Sequence, residues 1–144
     1  MKHKISSEKE MIEFGKDIAT KLNGGDIVLL YGDLGSGKTT LTKGIASYFG
    51  IEDVVSPTFT LMQEYQINKS ASTQVSKFVH IDTYRLEDAE DLVEIGAEDY
   101  LGDGNTICII EWPEKIEGLL ADKKVTKIII EHDGEYGRRI KIED

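Results

Sequence analysis

Hydrophobic positions along this chain fall into two alternating rhythms. The runs Ile27-Val28-Leu29-Leu30-Tyr31, Phe78-Val79-His80-Ile81 and Ile107-Cys108-Ile109-Ile110 are short, apolar and β-branched, and they read as strands. Elsewhere the apolar residues spread to helical spacing. Met11, Phe14, Ile18 and Leu22 make one such face, and Leu41, Ile45, Ala46 and Phe49 make another. Ser7 and Glu10 have the spacing of a capping box for the first helix, which is expected to run through Leu22 and stop at Asn23-Gly24-Gly25. Gly50 offers a C-cap to the second. An edge strand over about residues 2–6, strands near 59–67, 77–82 and 105–111, a charged helix over roughly 88–101 and a short helix over 113–120 are also expected. A terminal hairpin of 124–132 and 137–142 turns around Gly134 and Gly137, and the polar stretch 68–74 is a turn or loop.

Strands and helices mostly alternate, which predicts an α/β sheet. With 144 residues and no internal repeat, residues 1–144 are expected to form one domain around one core.

The junction between the second strand and second helix carries the chemistry. Gly32-Asp33-Leu34-Gly35-Ser36-Gly37-Lys38-Thr39 fits G-x-x-x-x-G-K-[ST], with a strand before it and a helix after it. Glycines let backbone N–H groups turn inward around phosphate oxygens, and the helix N-terminus favours the negative charge. Lys38 adds a point charge for the β/γ-phosphates, and the Thr39 hydroxyl is a ligand for Mg²⁺. The motif therefore predicts a nucleoside triphosphate site.

Phosphoryl chemistry also needs an acid near the metal, at the end of a strand beside the P-loop strand. Two apolar runs end in acids, one at Asp82 and the other at Glu111. Either can hold Mg²⁺ or orient the attacking water, and the spacing alone does not divide those roles. Ser56-Pro57-Thr58-Phe59 reads first as an ordinary proline turn entering a strand; a hydroxyl-rich segment here is also able to reach the γ-phosphate as switch loops do. Trp112, the single tryptophan, directly follows Glu111 and suits either core packing or an interface.

Charge narrows the partners. A net charge of −10 repels a phosphate backbone, so nucleic acid is expected to be held by a partner and not directly by this chain. No apolar run is long enough to span a membrane, and the first residues lack the apolar segment of a signal peptide, which makes a cytoplasmic location the expectation. Cys108, inside an apolar run, is expected to be a buried and inert thiol.

Four ordered motifs, namely Gly32 to Thr40, Ser56-Pro57-Thr58-Phe59, His80-Ile81-Asp82-Thr83-Tyr84-Arg85-Leu86 and Ile110-Glu111-Trp112-Pro113-Glu114, resemble those of the TsaE family, also known as YjeE or YdiB. The resemblance covers nearly the whole chain. It implies a P-loop, three-layer sandwich with a mixed, partly antiparallel sheet. It also implies ATP hydrolysis in tRNA threonylcarbamoyladenosine synthesis, with TsaB and TsaD as partners and tRNA reached only through the complex. Carried over by motif, the ATP-binding set is Asp33, Gly35, Ser36, Gly37, Lys38, Thr39 and Thr40. Thr39 and Glu111 hold Mg²⁺, and Asp82 lies near the hydrolytic centre with Trp112 beside it. A position matching Arg138 comes close to the nucleotide in the family, so Arg138 joins the set. The resemblance leaves the adenine contacts open. Two other functions fit a P-loop: a small-molecule kinase and a nucleotide-dependent binding switch. Kinases usually ring the phosphate with arginines, and this chain has only Arg85, Arg138 and Arg139. Asn68-Lys69-Ser70-Ala71 lacks the Asp of a guanine-reading motif.

Overall fold

Period-two alternation in the central strands decides which residues meet the P-loop helix. The computed structural model describes residues 2–55, 61–67, 75–84, 89–94 and 96–143. Its elements are β1 (Lys2–Ile5), α1 (Glu8–Ala19), β2 (Ile27–Tyr31), α2 (Lys38–Tyr48), β3 (Met62–Gln66), β4 (Lys77–Asp82), α3 (Ala89–Glu94), β5 (Thr106–Glu111), α4 (Glu117–Leu120), β6 (Val125–Asp133) and β7 (Gly137–Glu143). Short 3₁₀ turns cover Ala97–Asp99 and Pro113–Ile116.

The strands form one sheet in the order β1-β7-β6-β2-β5-β4-β3. Its middle, β6-β2-β5-β4, is parallel, whereas β1-β7-β6 at one edge and β3-β4 at the other pair antiparallel. This is the mixed α/β sheet expected. β2 lies between two parallel neighbours and has both faces covered, so it is apolar and buried from Ile27 to Leu30. Along β2, β4 and β5 the side chains alternate between faces. Val28, Leu30, Phe78, Ile107 and Ile109 pack with Leu41, Ile45 and Ala46 of α2 and Met11 and Ala19 of α1. Ile27, Leu29, Val79, Ile81, Cys108 and Ile110 pack on the other side with Ala97, Leu101, Ile116 and Leu120. The same alternation places His80 and Asp82 on the face of Phe78, and Glu111 on the face of Ile109. All three polar residues thus look toward α2.

Helices α1 and α2 touch backbone to backbone through two glycines. A methyl group on Gly15 would stand 2.6 Å from the Leu41 carbonyl oxygen, and one on Gly44 would stand 2.3 Å from that of Ile12. This contact fixes the axis of the helix that begins at the P-loop.

Three element boundaries differ from expectation. α1 closes at Ala19 and not at Leu22, because Lys21 and Leu22 donate to Ile18 and Ala19, tightening the last turn to i→i−3 bonds. At its start, Ser7 does cap Glu10 N–H at 3.1 Å, while Glu10 accepts from Ser6 N–H at 2.8 Å. The helix expected over 88–101 is two pieces, α3 and the 3₁₀ turn, broken by Gly96 at φ 82°. The segment 113–120 likewise divides into a 3₁₀ turn and the single turn α4.

Candidate functional site

The Gly-rich loop leaves β2 and returns immediately into α2. Gly35 and Gly37 sit at φ 76° and φ 109°, a region closed to most side chains. Gly32 is confined differently: a Cβ there would stand 2.5 Å from Ser36 Oγ and 2.8 Å from the Ile130 carbonyl oxygen. Gly37 is the N-cap of α2 and supplies no side-chain acceptor to the first-turn N–H groups.

Lys38 opens α2 and is nearly buried, at 5% exposure. Its ammonium group donates to the carbonyl of Gly32 and, at 3.1 Å, to that of Asp33. The Trp112 ring covers it, with 4.1 Å from Nζ to the ring centroid. Burial pulls the Lys38 pKa below the ordinary lysine value, while Glu111, Asp82, Glu114 and Asp33 act in the opposite direction.

The opposite wall comes from strand ends. Asp82 and Glu111 are cross-strand partners at the C-terminal ends of β4 and β5. Glu111 is 3% exposed, and both its carboxylate oxygens lie 3.4 Å from Thr39 Oγ1. Its Oε2 is also 2.5 Å from His80 Nε2. Asp82 is half-buried, and its Oδ1 accepts Tyr84 N–H at 3.0 Å. A cavity of about 440 Å³ lies between loop and wall, lined by Lys38, Thr39, Asp82, Glu111 and Trp112 among others. A second, of about 570 Å³, continues past Gly35–Gly37 and Thr40 to Ser7, Met11, Tyr136 and Arg138.

The family model described as "Threonylcarbamoyl adenosine biosynthesis protein TsaE" matches residues 5–140. This chain belongs to the TsaE family. It is 41% identical to the tRNA threonylcarbamoyladenosine biosynthesis protein TsaE of Haemophilus influenzae over 128 residues, which cover 84% of this chain and 76% of that one. The TsaE of Bacillus subtilis is 36% identical over 141 residues, 97% of this chain and 83% of that one. Among solved structures, the one titled "Crystal structure of Bacillus subtilus YdiB" superimposes with a TM-score of 0.77 at 31% identity. That superposition covers 99% of this chain and 83% of that one.

Within this TsaE fold, Trp112 lies on the cavity wall, half-buried, and not in the core. It adopts φ 58° and ψ 50°, left-handed and unfavourable for a bulky residue ahead of a proline. Thr83 holds it there: the Thr83 hydroxyl donates to the Trp112 carbonyl and, at 3.1 Å, to that of Glu111. Tyr84 packs on the indole with ring centroids 5.0 Å apart.

Arg138 stands beside the loop, but its guanidinium donates to loop carbonyls. Nε reaches Ser36 O at 2.9 Å and an Nη reaches Gly35 O at 3.1 Å, with Gly137 O a further acceptor at 2.7 Å. The geometry therefore gives Arg138 a part in holding the loop's shape, alongside its place on the wall of the second cavity. Asp33 likewise contributes its carbonyl, which accepts from Ser36 N–H at 3.0 Å and from Lys38, while its side chain is exposed.

The residues brought together are thus Gly35 to Thr40, Asp82, Glu111 and Trp112, with Arg138 behind the loop. Ser56-Pro57-Thr58-Phe59 and Arg85 lie outside the described residues. Sequence reading gave no role to His80 or Thr83. For His80 the signal was present, a polar residue between the apolar Val79 and Ile81; Thr83, between Asp82 and the exposed Tyr84, carried none, yet both prove fully buried. Cys108 is buried as expected, and burial raises its thiol pKa to about 12. No helix among the described residues is long and apolar enough to cross a membrane.

Proposed function

We propose that the protein binds ATP with Mg²⁺ on its Gly-rich loop and hydrolyses it in the synthesis of tRNA threonylcarbamoyladenosine, acting in the cytoplasm with the TsaB and TsaD proteins. The observation that carries the reading is the meeting of Lys38, Thr39 and Glu111 on one cavity. A cation at a helix N-terminus, a hydroxyl and a buried carboxylate 3.4 Å from it face the same space. Thr39 and Glu111 offer hard oxygen donors, and two such groups completed by phosphate and water suit Mg²⁺. Bound there, Mg²⁺ would offset the charge on the β/γ-phosphates.

Each residue then has a distinct task. The loop N–H groups receive phosphate oxygens, and Lys38 exchanges its bonds to Gly32 and Asp33 for bonds to phosphate. Asp82, half-exposed on the same wall, orients the attacking water. The second cavity shares Gly35–Gly37 and Thr40 with the first, so it receives the ribose and base. Hydrolysis is favoured over transfer to an acceptor because no described arginine lines the cavity of Lys38, Thr39 and Glu111. Arg138 is bonded to loop carbonyls, and Arg139 is exposed on β7 opposite Lys4 and Glu131.

With a net charge of −10, the protein is expected to meet tRNA through its partners. Reconstitution with TsaB, TsaD and tRNA tests the proposal. Modification is expected with ATP, and sustained modification is expected to fail with a non-hydrolysable analogue. ATP turnover by the lone chain is expected to be slow and to rise when both partners are added. Fast unassisted turnover that the partners leave unchanged, or tRNA retention by the lone chain at physiological salt, would overturn it.

A further inference from the structure

His80 occupies an unusual position for an imidazole. It lies in the middle of β4 between apolar neighbours, is 0% exposed, and points from the α2 face toward the end of the adjacent strand. Its Nε2 is 2.5 Å from Glu111 Oε2, whereas Nδ1 is buried and has no hydrogen-bond partner among the described residues. A buried N–H without an acceptor is costly, more so than a bare ring nitrogen. The proton therefore belongs on Nε2, where the carboxylate accepts it, and Nδ1 is left bare. Glu111 is served by such a donor, because a buried carboxylate is costly without hydrogen bonds and Nε2 stands closer to it than the Thr39 hydroxyl at 3.4 Å.

We infer that His80 is a positioning residue for the metal-binding carboxylate: as the Nε2–H tautomer it holds Oε2 of Glu111, leaving Oε1 beside Thr39 for the cation. The inference rests on the reading of Thr39 and Glu111 as the Mg²⁺-binding pair. Groups that orient a ligating carboxylate commonly set metal affinity without touching the metal. Among the described residues no hydrogen bond joins His80 to Lys38 or the loop backbone, so its effect is expected chiefly on the metal arm of the site.

Two measurements test this. In the first, Mg²⁺ is titrated against binding of mant-ATP, a fluorescent ATP analogue, by the parent chain, His80→Phe, His80→Gln and Glu111→Gln. His80→Phe keeps a ring but removes the donor, and its Mg²⁺ midpoint is expected to rise about 10- to 100-fold. Metal-free mant-ATP binding should stay near the parent value. His80→Gln places an amide N–H near the lost Nε2 and is expected to recover most of the shift. If Glu111→Gln shifts the midpoint and His80→Phe does not, the inference fails and the metal reading stands. If Glu111→Gln leaves the midpoint unchanged, the metal reading fails and the inference with it. The second measurement is long-range ¹H–¹⁵N NMR of the unmodified ring, which holds even where His80→Phe folds poorly. A bare Nδ1 with a protonated Nε2 is expected; an Nδ1–H tautomer or an imidazolium would overturn the assignment.

Discussion

The two walls of the cavity are built on opposite plans. The P-loop wall is backbone: glycines at left-handed angles, a helix N-terminus without a side-chain cap, and carbonyls held by Lys38 and Arg138. The facing wall is side chains mounted on strand ends, namely Asp82, Glu111 and Trp112, supported from behind by His80 and Thr83. A backbone wall depends on how its elements pack, since packing alone sets where the N–H groups point. A side-chain wall depends on a few buried hydrogen bonds, and single substitutions can alter it while the sheet stays intact.

The strongest way to break the first wall avoids the loop altogether. Gly44→Ala drives a methyl into the Ile12 carbonyl, so α1 must move away from α2. The expected cost is about 1–3 kcal/mol of stability, read as a lower thermal midpoint, together with weaker nucleotide binding. A midpoint equal to the parent's would show that the helices are not locked by this contact.

Lys38→Ala comes next. It removes the charge proposed to meet phosphate but leaves the packing of α2 in place, and nucleotide affinity is expected to fall tenfold or more, about 1.4 kcal/mol. Equilibrium binding of mant-ATP measures this, and parent-like affinity would contradict the P-loop reading.

The smallest effect lies far from the nucleotide and concerns the frame behind the side-chain wall. Glu64 on β3 accepts from Tyr100 at 2.8 Å and pairs with Lys77 at 3.2 Å. The Tyr100 hydrogen bond, then those from Lys77, hold the Glu64 pKa below the ordinary carboxylate value. Because the folded pKa is the lower one, this contribution is present above the unfolded value and is lost as pH falls through the folded value. Glu64→Gln is expected to make the thermal midpoint slightly less sensitive to acidification below about pH 5, an effect that added salt shrinks. An unchanged pH profile would show that the cluster adds nothing measurable.

The contrast between the walls also explains what the sequence made legible. Gly32 to Thr39 is a contiguous segment whose spacing encodes its own geometry, so the loop wall was readable from one stretch. Asp82 and Glu111 were readable as acids closing apolar runs, because strand ends in a parallel sheet share one edge. What joins them was not readable. The His80–Glu111 bond depends on the β4–β5 register, the Thr83–Trp112 bond on a left-handed turn, and the Gly15–Gly44 crossing on how two helices meet in space. Arg138 shows the limit from another side: the family resemblance implied a place near the nucleotide, whereas its use of Gly35 and Ser36 carbonyls follows only from the placement of β7. In the fold, the α/β class followed from alternating periods. The break at Gly96 was hidden inside a charged stretch that also suits a continuous helix.

The most direct measurement separates the two walls in one experiment. Mant-ATP binding is followed across a Mg²⁺ titration for the parent, Lys38→Ala, Glu111→Ala and Asp82→Asn, with steady-state hydrolysis measured alongside. Lys38→Ala is expected to weaken binding with and without Mg²⁺, and Glu111→Ala to lose only the Mg²⁺-dependent part. Asp82→Asn should keep binding while hydrolysis falls. Identical behaviour of Glu111→Ala and Asp82→Asn, or a Glu111→Ala chain with the parent's Mg²⁺ dependence, would contradict it.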